Sequence, residues 1–191
     1  MNQNGNGIIY IKNAYNDDIF NQIKNELKYF KKYLSVDKRV PGRKSICINN
    51  KHKLNKLIYN STFIKSLQNI ILSKLKKTSY PIEYRKYFTG SQGIKWHKDK
   101  SLFTKPQYEL VLTIENSSDS KTMWKDKNNK LHSIKTKPNS IIMVKAHDIE
   151  HKVTKINNGE RFIIKFILFD KNQKFIKNNN YKFELNNCKL I

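Results

Sequence analysis

The stretch HKVTKINNGERFIIKFILF, residues 151–169, reads as two β-strands joined by a turn. Residues 151–156 and 161–169 are rich in β-branched and aromatic side chains, and Asn157, Asn158 and Gly159 between them are turn formers. The same texture runs back to Pro81. Strands are predicted at 82–88, 93–99, 108–115, 121–126, 131–137 and 140–146, separated by turn signals at Gly90, Ser117–Ser120, Asn128–Asn129 and Pro138–Asn139. Short, regularly spaced strands of this kind predict a barrel or a double-sheet jelly roll.

The first 80 residues read differently. IIYIK at 8–12 is a short strand. In NDDIFNQIKNELKYFKKYL, Ile19, Phe20, Ile23, Leu27, Phe30 and Leu34 recur at helical spacing, with Asn16 or Asp17 as cap and acids at the start. A second helix is predicted over 61–77, capped by Ser61, with Phe63, Ile64, Leu67, Ile70, Ile71 and Leu75 on its apolar face. DKRVPGRKS at 37–45 reads as a basic, solvated turn broken by Pro41 and Gly42, the best place for a polyanion contact, and a lysine-rich loop follows it. The expected fold class is α+β: a double-stranded β-helix (jelly-roll) core with two N-terminal helices packed on one face. One globular domain is expected, with the strand and helices in 1–80, the core in 81–170 and a basic C-terminal extension in 171–191. Within that extension, NNNYKFELNN is a candidate edge strand.

The 191 residues carry a net charge of +23, from 38 basic and 15 acidic residues. Such a field attracts polyanions. An excess of Lys, Asn, Ile and Tyr, all favoured by AT-rich codons, accounts for part of it equally well. No apolar run approaches the roughly 20 residues that span a bilayer, and MNQNGNGIIYIKN lacks the layout of a signal peptide. A monomeric, intracellular protein, cytoplasmic or nuclear, with no membrane partner is expected. Two cysteines without CxxC spacing offer neither a disulfide framework nor a Cys-type zinc site.

There are five histidines: His52, His97, His132, His147 and His151. His97 and Asp99 are two apart inside a predicted strand and so share a face. A solvated polar face would give the same pattern. His151, which opens the next-to-last core strand, supplies a third ligand and is preferred to His147 for its spacing to Arg161. Two imidazoles and one carboxylate form a facial triad with open coordination positions, which suits Fe(II) better than a structural zinc with four protein ligands. Arg161 lies ten positions after His151, across the turn, and is one of only four arginines. Its planar fork suits a carboxylate. Trp96, Trp124 and Met123 are assigned to packing, and His52 and His132, without evident partners, to the surface.

With these residues in place, the chain resembles the Fe(II)- and 2-oxoglutarate-dependent dioxygenases. The resemblance covers residues 82–169 and rests on YFTGSQGIKWHKD (87–99), NSIIMVKAHDIEHKV (139–153) and NGERFIIKFILF (158–169). It implies that His97, Asp99 and His151 bind iron, that Arg161 binds the distal carboxylate of 2-oxoglutarate, and that Tyr87 hydrogen-bonds this cosubstrate. It implies an enzyme that uses O2 to hydroxylate a C–H bond while 2-oxoglutarate is decarboxylated to succinate. The position of Arg161 is similar to that in prolyl and lysyl hydroxylases, which implies a protein side chain as substrate. The alternative is an AlkB-like nucleic-acid demethylase, to which GSQGIKWHKD and the positive charge are similar. Against it, Ile167 stands where AlkB relatives carry a second arginine, and Arg85 where they carry an asparagine. A metal-free basic nucleic-acid-binding module is the reading outside the enzymes.

Overall fold

The computed structural model describes residues 7–171, 174 and 189–191. The chain begins with β1 (Ile8–Ile11), α1 (Asp17–Phe30), a 3-10 turn at Lys31–Tyr33, β2 (Ser35–Val36) and β3 (Arg43–Ile48). Then come α2 (Leu54–Ile58), α3 (Ser61–Ile71), β4 (Leu75–Lys77), β5 (Ile82–Phe88) and β6 (Ile94–His97). The rest is β7 (Tyr108–Asn116), β8 (Thr122–Lys125), β9 (Leu131–Ile134), β10 (Ser140–Lys145), β11 (His151–Val153) and β12 (Glu160–Asp170). The larger sheet has the order β1-β10-β7-β12-β5-β3-β2, with β4 paired to the far end of β12. The smaller has the order β6-β11-β8-β9, and every named pairing is antiparallel. This is the jelly roll that the strand spacing predicts.

The larger sheet has two unlike faces. On β5, β7 and β12, Tyr84, Leu110, Leu112, Phe162, Ile164 and Phe166 point one way and meet Phe20, Ile23, Leu27 and Phe30 of α1 and Phe63 and Leu67 of α3 in one apolar core. The alternate residues, including Arg85, Tyr87, Glu109, Val111, Arg161, Ile163 and Lys165, point to the smaller sheet and line a cavity. Residues of α1 and α3 thus share the core of this face. α1 is capped by Asn16, whose side chain accepts from the Ile19 N–H at 2.9 Å, with Asp17 and Asp18 in its first turn. No helix among the described residues is long and apolar enough to cross a membrane.

Several elements depart from the sequence reading, beginning with β2, which pairs with β3 and was not expected. β3 occupies the end of the segment read as a basic turn, and it pairs with β5 from Arg43↔Tyr87 to Ile48↔Ile82. The lysine-rich loop holds α2, which buries Leu54 and Ile58. α3 is capped by Asn60 rather than Ser61. It stops at Ile71 because Leu72 turns left-handed (φ +51°), and Leu75–Lys77 then pair with β12, which runs past the end of β5. Most of the C-terminal extension, including NNNYKFELNN, lies outside the described residues. Its last residues run along β3, with Ile191 N–H donating to the Cys47 carbonyl at 2.8 Å.

Two substitutions test this packing. Phe166→Ala removes a fully buried ring that meets Tyr59 and Phe63, and it is expected to cost about 3–5 kcal/mol in urea unfolding. Leu72 is 90% exposed, so Leu72→Gly relieves a left-handed backbone and loses little packing. It is expected to raise stability by about 0.5–1 kcal/mol in the same assay.

Candidate metal and anion site

β6 and β11 are neighbours in the smaller sheet, and their register sets His97 opposite His151. Their rings lie 4.3 Å apart between centroids. β6 ends at His97, so Asp99 comes from the segment after the strand rather than from strand alternation. That segment is tied down by the residue set aside as a ligand. The His147 N–H donates to the Asp99 carbonyl at 2.9 Å, and His147 Nε2 accepts from the Ser101 N–H at 2.9 Å. The Asp99 carboxylate then lies 3.7 Å from His97 Nε2 and 3.5 Å from His151 Nε2. The ligand atoms of all three residues fall within 4.8 Å of one another.

The backbone selects the tautomers. A carbonyl only accepts, so His97 Nδ1 donates to the Lys95 carbonyl (2.8 Å) and His151 Nδ1 to that of Ile149 (3.1 Å). Both Nε2 atoms therefore turn lone pairs toward Asp99, as metal-binding imidazoles do. Burial lowers the pKa of His151, and nearby His97 adds to the shift while Asp99 opposes it. The net effect favours the neutral, ligating form. Two imidazoles and one carboxylate from three residues fit a divalent iron and leave room for further ligands.

The other end of the cavity carries buried positive charge. Across β3, β5 and β12, the register places Arg43, Tyr87 and Arg161 in one row. All three are buried, with 4%, 3% and 3% of their surface exposed. Arg43 donates to Tyr87 Oη at 3.3 Å and is paired with Asp37 at 2.8 Å. Arg39 pairs with Asp37 at 2.9 Å and Glu83 at 3.3 Å, and Arg85 with Glu83 at 2.6 Å. Arg161 alone of the four arginines has no carboxylate among the described residues, and its buried Nε has no hydrogen-bond partner there. Burial pulls its pKa below the ordinary value, against the pull of Tyr87. Burial would raise the Tyr87 phenol, but Arg43, Arg85 and Arg161 around it bring it below its ordinary value. An isolated buried cation costs several kcal/mol unless an anion joins it.

One cavity of about 110 Å³ connects the two ends. His97, Asp99 and His151 line one part, Tyr87 and Arg161 another, and Val111, Ile142 and Ile163 stand among its walls. Lys165 also faces it, paired with Glu109 at 2.6 Å. Burial and the charge of Asp99 push the Glu109 carboxyl up to about 7 against the pull of Lys165.

All five residues singled out in the sequence thus line one cavity. The basic segment at 37–45 behaves otherwise than expected: Asp37 and Arg43 are buried in the ion network, and Arg39 joins them. His52 and His132 are not bare surface residues either. His52 Nδ1 accepts from the Leu54 N–H at 3.1 Å, and His132 bonds Asp126 at 2.8 Å while stacking on Trp124. The sequence reading missed Asp37, Glu83, Glu109 and Lys165 and gave Arg43 and Arg85 no site role. The scarcity of arginine was the available signal, since all four arginines belong to this region.

The sequence matches no family model and no curated protein. Solved structures do match. A prolyl hydroxylase from Trichoplax adhaerens, in complex with a hypoxia inducible factor oxygen degradation domain peptide fragment, superposes with TM-score 0.68 at 17% identity, over 88% of this chain and 86% of that one. A prolyl-4-hydroxylase from Pseudomonas putida gives 0.68 at 10% identity, over 87% and 94%. HygX from Streptomyces hygroscopicus, with nickel, 2-oxoglutarate and hygromycin B bound, gives 0.65 at 10% identity, over 87% and 84%. The fold is that of the 2-oxoglutarate–Fe(II) oxygenases. In this oxygenase fold, the smaller sheet of the present chain supplies the two histidines, and the larger sheet supplies Tyr87 and Arg161.

The ion network gives stability a pH dependence with a definite sign. Burial alone would raise the Glu83 carboxyl, but Arg85, Lys165 and Arg39 hold it down to about 2, below its ordinary 4.5. The stability it contributes is therefore present above pH 4.5 and lost as pH falls toward 2. Glu83→Gln is expected to cost about 3–5 kcal/mol at pH 7, because Arg85 keeps its buried charge without a partner. It is also expected to flatten this acid limb, both effects being read by urea unfolding across pH.

Proposed function

We propose that the chain is an Fe(II)- and 2-oxoglutarate-dependent dioxygenase that hydroxylates a C–H bond of a protein side chain. The observation that carries this reading is the pairing, in one cavity, of a His-Asp-His cluster with a buried arginine that no described carboxylate neutralises. His97, Asp99 and His151 would hold Fe(II). Bound there, the ion supplies the oxidation of the C–H bond, with O2 and 2-oxoglutarate as co-reactants and succinate and CO2 as products.

The chain's own residues do the rest. The carbonyls of Lys95 and Ile149 keep both imidazoles oriented with Nε2 toward Asp99, where the three residues would hold the ion. His147 holds the segment that presents Asp99. Arg161 takes the distal carboxylate of 2-oxoglutarate, and its fork matches that group in a dry site. Tyr87 Oη accepts from Arg43, which leaves its own proton to donate to the same carboxylate. The apolar walls keep water away from the reacting groups.

Several features favour a protein substrate over a base. Ile167 is buried beside Tyr80, Leu102 and Phe103, where an AlkB relative would present a second arginine. Arg85, at the position of the AlkB asparagine, is committed to Glu83. The Trichoplax prolyl hydroxylase holds a peptide. The net charge of +23 keeps the nucleic-acid reading in view. Mass spectrometry of peptides and oligonucleotides treated with the enzyme separates the two: one added oxygen on a peptide supports hydroxylation, and loss of a methyl group from a nucleobase supports demethylation.

The protein loaded anaerobically with Fe(II) and 2-oxoglutarate is expected to show a visible metal-to-ligand charge-transfer band and to form succinate when O2 is admitted. No band and no succinate would overturn the assignment. Asp99→Ala is expected to abolish succinate formation. Arg161→Ala removes charge-assisted hydrogen bonds to a buried carboxylate and is expected to raise the 2-oxoglutarate requirement about 10–100-fold. A wild-type requirement in that variant would refute the role given to Arg161.

A further inference from the structure

The outer face of the smaller sheet, opposite the one that carries the histidines, has its own chemistry. Between Ile94 and His97, β6 runs three steps where β11 runs two from Val153 to His151. This bulge turns Lys95 and Trp96 outward together while Ile94 and His97 still face the cavity. Gly93, with φ +67°, makes the approach to β11 possible, because a Cβ there would collide with the carbonyls of Val153 and Thr154. The half-buried Trp96 indole is flanked by two ammonium groups, Lys125 Nζ and Lys152 Nζ, each 4.9 Å from the ring centroid.

Beside the indole runs a shallow groove lined by Gln92, Lys95, Trp96, Lys152, Thr154 and Lys155, among others, with no acidic residue. Lys125 is paired with Glu150 at 2.6 Å. Lys95, Lys152 and Lys155 have no ion-pair partner among the described residues, so three cations are left to face a ligand. Lysine is everywhere on this chain, and a basic patch alone would mean little. The distinguishing feature is an aromatic ring beside a groove whose lining holds no acid, the nearby Glu150 being taken up by Lys125.

We propose that this groove docks single-stranded nucleic acid, with a base stacked at Trp96 and phosphates on Lys95, Lys152 and Lys155. Flexible single strands present a phosphate and a π-face at each nucleotide, and a ring among cations meets both. A duplex hides its base faces, and an acidic protein surface has no use for the indole; Ile94 and Val153, which also line the groove, are shared with the inner cavity and do not protrude as a lipid surface would need. The proposal uses the face of the sheet turned away from the His97–Asp99–His151 cluster and does not depend on the oxygenase reading.

The test uses the whole chain and a fluorescein-labelled 15-nucleotide oligo(dT), followed by anisotropy across NaCl concentrations. Three phosphate contacts predict a log–log salt slope of about −2. Trp96→Ala is expected to weaken binding about 5–100-fold, and Trp96→Phe to restore most of it. Lys95→Glu combined with Lys155→Glu is expected to abolish binding. The matched control, Lys65→Glu with Lys76→Glu, makes the same charge change on exposed lysines of α3 and β4 and is expected to stay within threefold of wild type. Melting temperatures near wild type confirm folding of each variant, and the exposed lysine pair decides the matter should Trp96→Ala fail to fold. Equal weakening by both lysine pairs would show general charge attraction and overturn the proposal. So would wild-type affinity in a folded Trp96→Ala variant, or tighter binding to phosphatidylserine vesicles than to the oligonucleotide.

Discussion

The register of β12 between β5 and β7 is the constraint on which the rest depends. Its eleven residues alternate between two incompatible environments. Phe162, Ile164, Phe166 and Leu168 belong with the helices, while Arg161, Ile163 and Lys165 belong with the cavity. A slip of one residue would put Arg161 and Lys165 into the apolar core and turn Phe162, Ile164 and Phe166 toward the buried ions. The penalty for both errors falls on the same slip, so the register is strongly specified. That register in turn sets Arg161 beside Tyr87, and Tyr87 beside Arg43. Fold and site are thus selected by one alternation rather than by separate devices.

The charged face has to solve a harder problem than the apolar one. Asp37, Arg43, Glu83, Arg85, Glu109, Lys165 and Arg161 are all buried, or nearly so, on one side of one sheet. Desolvation opposes every one of these charges, and only close pairing offsets it. The pairs are accordingly short, Asp37 with Arg39 and Arg43, Glu83 with Arg85, Glu109 with Lys165. Arg161 is left over. A fold tuned for stability alone would place a carboxylate on it or replace it with leucine. On the function proposed above, a bound carboxylate would offset part of that cost, which would couple stability to ligand concentration.

Much of this architecture was legible in the sequence, because the strands after Pro81 are short, β-branched and punctuated by turn residues. The five residues that meet in the cavity were singled out beforehand, four by spacing and residue type (His97 and Asp99 two apart, then His151, then Arg161 across a turn) and Tyr87 by resemblance. What stayed hidden has physical causes. Nearly every residue of β3 is buried, so no alternation announces it as a strand. Asp37, Arg39 and Arg43 read as solvated because composition does not reveal that Asp37 pairs with both arginines, and the further partners of Arg39 and Arg43, Glu83 and Tyr87, are each 44 residues away. Leu72 ended a helix that spacing alone would continue. Trp96 was assigned to packing, and it does face away from the cavity, but only half-buried and beside Lys125 and Lys152, contacts that spacing alone does not reveal.

The same contrast bears on how the basicity should be understood. The chain has 38 basic residues and only four are arginine. Codon bias that favours lysine would drive arginine out wherever any cation serves, and the exposed helix faces and loops do carry lysine. The four arginines survive where a planar fork makes several hydrogen bonds at once, or stands ready to make them. A lysine at 85 would give Glu83 a point charge instead of two donors on one oxygen. Net charge therefore says little about function in such a chain, since genome bias and binding both raise it. The choice between lysine and arginine, and the acid-free company that some lysines keep, carry the information that the total conceals.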